Sequence, residues 1–249
     1  MLAIQLAITG LQTGALYALT AVGFSLIFGS TRIFHFAHGA AFVIAAYFFY
    51  AVFGAGWGIV PAIVASAFGA VAFGLLLDRL VYVPIQRHEG SFFTVFVASF
   101  GVGIAVQNVI GMIFGRGYVT VNTSLSRSVE VIPEVYVSPL AWIAMACAAV
   151  FLGGLGFFLK RTHTGMALRA LADNPDLVRA FGLNPRTIQA AAFAIGSVIV
   201  VPAAIITSAT TGLSPAIGHH VMLISLAATI VGGIGSIPGT MLAGLMLGL

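Results

Sequence analysis

The side chains of this sequence that can do chemistry are few, and their kinds point to the passage of a solute more than to bond-making. His35 and His38 lie three residues apart, so a helical stretch places them on one face, and with Arg32 they put polar groups at the end of a long apolar run. Ionisable groups at such depth are either part of a functional path or bonded to a backbone carbonyl at a helix end, and both readings stay open for this pair. A metal site is disfavoured because no carboxylate lies nearby in sequence, and the single cysteine, Cys147, sits inside another apolar run. Neither His-Glu-x-x-His nor Gly-x-Ser-x-Gly occurs, and the one lysine, Lys160, falls at the edge of an apolar segment, so no catalytic constellation emerges. The chain is expected not to be an enzyme and to need no metal or cofactor of its own.

Two further stretches combine Gly or Pro with polar residues. Ser214-Pro215-Ala216-Ile217-Gly218-His219-His220 and Gly232-Gly233-Ile234-Gly235-Ser236-Ile237-Pro238-Gly239 flank one apolar segment, and both read as breaks that leave helix ends unpaired. A helix N-terminus presents free N–H groups and about half a positive charge, which suits a substrate carboxylate. Ser214, Gly232, Gly233 and Gly235 are therefore candidates for bordering a translocation path, together with His35, His38 and Gly39. The alternative for each glycine is close packing or turning. Gln107 and Asn108, and Gln12 and Thr13, lie within apolar runs and either hydrogen-bond across helices or touch substrate.

The elements that must hold these residues are membrane spans. Of 249 residues, 60% are hydrophobic and 6% charged, far below the roughly 25% charged fraction of soluble domains. Apolar segments at 3–28, 39–55, 57–77, 92–115, 139–159, 188–211 and 220–233, with a partial one from 238, approach or exceed the ~20 residues that cross a bilayer. The expected fold is all-α, a polytopic transmembrane helical bundle of seven or eight spans forming a single domain over 1–249, with broken or re-entrant helices at 29–38 and 212–220. Thirty glycines favour close approach of helix backbones. The N-terminus lacks the basic region of a removable signal peptide, so the first apolar stretch is expected to be a retained span. Lipid is the main solvent of such a bundle.

Charge orients it. Lys160, Arg161, Arg169, Arg179 and Arg186 are five of the ten basic residues, so 160–186 is expected in the cytoplasm, which puts 116–138 outside and 78–91 inside. The net charge of +4 is thus a matter of topology, and no nucleic-acid partner is expected. Asp78 with Arg79, and Arg87 with Glu89, read as a solvated cytoplasmic turn, and 116–138 as an extended or short-helix loop. Within 160–186, Thr164 is expected to cap a short helix ending near Asp173. Asn174 then caps a second one, with Pro175 at its first position, Asp176 in its first turn and Gly182 at its stop, and Asn184-Pro185 launches the next span. Small and apolar residues on these two helices suit a protein partner, although a seat among lipid headgroups is the competing reading.

The run Thr164-Gly165-Met166-Ala167-Leu168-Arg169-Ala170-Leu171-Ala172-Asp173-Asn174, followed by Ala180-Phe181-Gly182, resembles the cytoplasmic coupling segment of the branched-chain amino acid permeases of ABC transporters. Gly14-Ala15-Leu16-Tyr17-Ala18-Leu19 leading to Phe24-Ser25-Leu26-Ile27-Phe28-Gly29, then Phe36-Ala37-His38-Gly39, and Gly232 to Gly239 match the same family in the same order. The resemblance implies an inner-membrane permease subunit that pairs with a second homologous permease, two cytoplasmic ATPases that bind the ATP, and a periplasmic solute-binding protein. It implies that Thr164, Gly165, Ala167, Arg169, Ala170, Ala172, Asn174, Ala180 and Gly182 seat in an ATPase groove. The chain has no phosphate-binding loop of the Gly-x-x-x-x-Gly-Lys-Ser/Thr kind, so its energy must be borrowed.

Branched-chain or other hydrophobic amino acids are the family's usual solutes, and relatives carry urea, amides or aromatic acids. At His35 the family usually has Asn, a departure that bears on substrate. The family also normally continues past a glycine-rich helix such as Leu247-Gly248-Leu249, so a truncated C-terminus is expected. The competing reading is a self-sufficient channel or secondary transporter; ion coupling is disfavoured because all six acidic residues fall in loops or at span ends.

Overall fold

A computed structural model gives the chain's structure and describes residues 2–88, 90–133 and 135–249. Its helices are α1 (Leu2–Thr31), α2 (His38–Gly54), α3 (Ile59–Leu77), a π-helical turn (Asp78–Tyr82) running into α4 (Val83–Arg87), α5 (Phe92–Phe114), α6 (Pro139–Arg161), α7 (His163–Asp173), α8 (Pro175–Ala180), α9 (Pro185–Thr210), α10 (Ile217–Gly232) and α11 (Ile237–Gly248). A 3₁₀ turn (Ser124–Ser126) and a two-stranded antiparallel hairpin, β1 (Val129–Ile132) and β2 (Val135–Val137), sit between α5 and α6. The expected extended or short-helix loop at 116–138 is thus partly a hairpin, whose Val135 and Val137 pack on Ala141 and Ile8.

Every apolar segment anticipated from sequence is helical, but not every one is of membrane length. Among the described residues, five helices are long and apolar enough to cross: Leu2–Thr31, Ile59–Arg87, Phe92–Phe114, Pro139–Arg161 and Pro185–Thr210. The helices α2, α10 and α11 have 17, 16 and 12 residues, short of the ~20 a full crossing needs. All three abut an irregular connection: 32–37 before α2, 211–216 before α10 and 233–236 before α11.

The helices α1 and α9 form the centre, and α2, α3, α6, α10 and α11 pack around them. Their approach is set by glycine. A Cβ on Gly23 would stand 2.8 Å from the Gly196 carbonyl oxygen, and one on Gly39 would strike the backbone of Gly218. By contrast α5 and α6 turn most of their surface outward, and nothing lies within 4 Å of a Cβ built on Gly101, Gly103, Gly153 or Gly154.

The expected placement of 160–186 in the cytoplasm gives α1 a direction from outside to inside. Its start meets the outer hairpin, where the Gln5 amide donates to the Tyr136 carbonyl at 3.2 Å and accepts from the Tyr136 N–H at 3.3 Å. Its other end meets α7, where the Arg32 guanidinium donates to the Ala172 carbonyl at 3.2 Å.

Two local expectations are corrected. Asp78 and Arg79 do not form a solvated turn: the helix continues through 78–87, and the Asp78 carboxylate is buried and accepts a 2.9 Å hydrogen bond from the Gln189 amide of α9. A partner 111 residues away overrode the local charge pattern. Glu89, the expected companion of Arg87, lies outside the described residues. Thr164 does not cap α7 either. Thr162 does, accepting from the Gly165 N–H at 3.0 Å, because α6 breaks at Arg161 and leaves Thr162 extended. The other caps form where the sequence puts them: Asn174 accepts from the Asp176 N–H and Asn184 from the Arg186 N–H, both at 3.0 Å, and Gly182 takes a left-handed φ of 77° at the stop of the second helix.

Candidate functional site

Between the end of α1 and the start of α2 the chain runs irregularly through the protein interior, and side chains from α5 and the π-helical turn complete its hydrogen bonding. The Ala37 N–H donates to the Ser99 hydroxyl oxygen of α5 at 2.8 Å. The Tyr82 hydroxyl, from the π-helical turn, also donates to Ser99 Oγ at 2.8 Å, so its oxygen accepts from His35 Nδ1–H, again at 2.8 Å. His38 Nε2–H donates to the Thr20 carbonyl of α1 at 3.0 Å, with its ring against Gly23. Both imidazoles are fully buried, and His35 stacks edge-on against Phe193 at 5.1 Å. A π-turn inserted in a membrane helix carries Tyr82 into this cluster, a placement that such turns often serve at functional positions.

Removing the Tyr82 hydroxyl should therefore strand a buried imidazole N–H. We expect Tyr82→Phe to lower stability by about 1–3 kcal/mol, read as a lower unfolding temperature in detergent. An unchanged temperature would mean that the hydroxyl is not a structural link.

Above the cluster, towards the outer face, lies a cavity of about 650 Å³. One wall is a polar stripe on α1, Thr9, Thr13, Tyr17 and Thr20 with Gln12, and the opposite wall is Thr207, Thr210 and Thr211 at the end of α9. Ser214, His220 and the first turn of α10 close it, and Leu16, Phe42, Ala203 and Val221 supply an apolar part. The stripe follows from spacing: 9, 13, 17 and 20 recur every three or four residues and share one helical face. The hydroxyl protons of Thr9, Thr13, Thr20 and Thr210 go to carbonyls of their own helices at 2.9–3.0 Å. Their oxygens therefore remain available as acceptors. The cap of α10, Ala216, has no side-chain hydrogen bond to that helix; the Ile217 and His219 N–H groups donate to the Ser214 and Ala216 carbonyls at 3.1 Å, and the positive end of the helix dipole borders the cavity without a side-chain acceptor at the cap. None of the described residues lining it is Asp, Glu, Lys or Arg. Acceptors on two walls, a positive helix end on a third and an apolar remainder suit a small zwitterion with a hydrocarbon side chain.

The sequence candidates fall in different places. Ser214 lines the outer cavity, as do Gln12 and Thr13. His35 and His38 are not among its lining residues; they sit beneath it, and His38 reaches it only through Thr20. Gly39 and Gln107 border a much smaller space with Pro215, Gly218 and His219, where the ends of α2 and α10 cross. Asn108 is turned away: it is exposed, donates to the Ile104 carbonyl of its own helix at 2.9 Å and accepts from Arg116 at 3.4 Å. Gly232 packs backbone to backbone on Gly239, and Gly235 approaches Gly29 on the cytoplasmic side. The threonines of α9, with Thr9, Tyr17 and His220, were missed. Their signal was the helical spacing of hydroxyls at 9, 13, 20 and at 207, 210, 211 within otherwise apolar runs.

On the cytoplasmic side α7 buries Gly165, Leu168 and Leu171 and exposes Thr164, Arg169, Ala170 and, beyond its end, Asn174. Ala167 and Ala172 are half-buried at its edges, and Ala180 and Gly182 are exposed on and after α8. A Cβ on Gly165 would strike the Phe158 carbonyl of α6, so the two helices meet at a tight corner. The segment is thus rigidly seated against the bundle and open on the side away from it.

Residues 6–249 match the family described as the permease component of branched-chain amino acid transport systems. The chain is 29% identical to the high-affinity branched-chain amino acid transport system permease protein BraD of Pseudomonas aeruginosa, over 98% of this chain and 84% of that protein. It is 27% identical to the permease protein LivH of Escherichia coli K12, over 99% of this chain and 84% of LivH. It is 22% identical to the probable branched-chain amino acid transport permease LivH of Methanocaldococcus jannaschii, over 94% and 75% respectively. No solved structure matches it.

Proposed function

Because this chain belongs to the permease family of branched-chain amino acid transport systems, we propose that it passes branched-chain or other hydrophobic amino acids through its outer cavity in an ATP-driven importer. The chain is a multi-pass inner-membrane permease subunit. The observation that carries the substrate reading is the lining of the cavity. Hydroxyl oxygens face an ammonium group, the start of α10 faces a carboxylate, and Leu16, Phe42 and Val221 face an aliphatic side chain. Uncharged relatives of such a solute, short amides or urea, meet the same acceptors with fewer apolar contacts.

The residues Thr164, Gly165, Ala167, Arg169, Ala170, Ala172, Asn174, Ala180 and Gly182 serve in this reading as the seat of a cytoplasmic ATPase. The exposed side of α7 and α8, with Arg169 and Arg179 on it, supports that role. A second, homologous permease, two ATPases and a periplasmic solute-binding protein complete the importer. ATP is bound by the ATPases, and this chain holds no cofactor.

The test is to solubilise native membranes in detergent, isolate this chain, and identify what remains bound by mass spectrometry. Two ATPases and a sister permease are expected. The same complex, in proteoliposomes with ATP on the ATPase side and the binding protein on the other, should take up leucine in competition with valine but not with glutamate. Recovery of the chain alone, with ATP-independent leucine flux, would replace the importer by a channel.

A further inference from the structure

Among the hydrogen bonds of the described residues, a single side chain joins the irregular segment 32–37 to α7. The Arg32 guanidinium donates to the Ala172 carbonyl at 3.2 Å across 140 residues of sequence. Ala172 lies in the last turn of α7, where carbonyls lack partners within their own helix, so this bond satisfies a group that the helix leaves open. Arg32 is also the only described residue other than glycine with a positive φ, 57°. Glycine takes that conformation freely, whereas a side chain with a Cβ keeps it only where the surroundings hold it. Its own N–H closes α1 on the Phe28 carbonyl at 2.8 Å, so the residue is pinned to α1 by its backbone and to α7 by its side chain.

Beyond Arg32 the chain is buried and clamped. The Ile33 N–H donates to Thr31 Oγ1 at 3.2 Å, Phe34 packs edge-on against Phe28, Phe92 and Phe96, and His35 and Ala37 bond to Tyr82 and Ser99 as described. His38 then opens α2 beneath the outer cavity. A displacement of α7 thus has a continuous hard route, from Ala172 through Arg32 and residues 33–37, to α5, the π-turn and the start of α2.

We propose that Arg32 is the positioning residue that transmits movement of α7 and α8 to the membrane break beneath the cavity. The inference rests on the reading of 160–186 as the ATPase seat. A left-handed arginine is kept here, in place of the glycine the backbone prefers, because the guanidinium holds the two ends together.

Arg32→Gly separates the two roles, since it relaxes the backbone and deletes the link. In the full importer, reconstituted in proteoliposomes, the variant should retain its ATPases at wild-type stoichiometry and unfold at or above the wild-type temperature. Leucine taken up per ATP hydrolysed should nevertheless fall about tenfold, within the range of a single coupling interaction. Arg32→Lys, which keeps a charged donor of similar reach, should restore most of the ratio. A Gly variant with the wild-type ratio overturns the transmission role, and so does a variant that sheds its ATPases, because Arg32 would then act in docking. If the wild-type complex itself shows no ATP-driven uptake, the ATPase seat falls and the inference with it. Coupling that is intact in both proteins removes the inference alone.

Discussion

Gly39→Val is expected to abolish leucine uptake and to destabilise the chain more than any surface change. The start of α2 crosses the start of α10 with the two backbones in contact: a Cβ at Gly39 would strike the Gly218 carbonyl, and would lie 3.2 Å from Met222 Cβ. The contact is reciprocal, since a Cβ at Gly218 would meet Val43 Cγ2 at 2.8 Å as well as the Gly39 backbone. Neither obstacle is the mobile end of a long side chain, so the helices must part. Overpacking of this kind costs about 1–3 kcal/mol where side chains give way and more where backbone must move. Parting α2 from α10 would also open the small space beside Gln107 and shift Ser214 and His220 at the outer cavity. The check is the unfolding temperature and leucine uptake beside a control, Gly153→Val on α6, where nothing lies within 4 Å of the added carbon. Equal uptake by the two variants would show that the crossing tolerates a side chain.

His38→Ala ranks second. The imidazole is fully buried, and it fills the space that Gly23 leaves on α1 and donates to the Thr20 carbonyl at 3.0 Å. Its loss removes that bond and leaves a void as large as the ring, a combination that costs about 2–4 kcal/mol. Thr20 lines the outer cavity, so its backbone is the part of the wall that would relax. The expected result is a lower unfolding temperature together with reduced uptake, while the order of preference among leucine, valine and isoleucine stays the same, because the imidazole is not itself among the lining residues. His38→Gln, with an amide donor of similar length, should recover part of the loss. A changed preference at wild-type stability would instead put the ring in contact with substrate.

The two effects differ in origin. At Gly39 the cost is steric and lies between two helices short of a full crossing, whereas at His38 it is a lost donor and lost packing against a central one. Both act on the floor of the same cavity, as the Arg32 link does from below. Perturbations at Arg32, His38 and Gly39, on one continuous stretch of chain, are therefore expected to meet at one function.

Much of this molecule was legible in its residues alone. The helical segments followed from apolar runs longer than any soluble core allows, and five basic residues in one loop supplied the expected inside face. Asn174, Pro175 and Gly182 marked both ends of the short helix α8 correctly, and Asn184 with Pro185 the start of α9, because caps and φ restrictions act within three or four residues. The breaks expected at 29–38 and 212–220 from polar, Gly or Pro interruptions fall at 32–37 and 211–216, with 29–31, His38 and 217–220 drawn into the flanking helices.

What only the tertiary structure decided is which way each helix faces and what meets across it. In a soluble helix the polar face marks solvent, but here lipid and protein interior are equally apolar, so α5 carries almost no directional stripe and the hydroxyls of α1 and α9 mark a cavity instead of a water-facing side. Asn108 and Gln107 are neighbours in sequence, yet one is exposed and the other borders a cavity. Asp78 looked like a surface charge until Gln189 of α9 closed over it. The His35–Tyr82–Ser99 bridge and the Arg32–Ala172 link join positions that no period relates, and glycine contacts such as Gly23 on Gly196 and Gly39 on Gly218 are likewise visible only once the helices meet. Local rules thus determined the elements and their ends, while backbone-to-backbone packing determined the cavity and the route that reaches it.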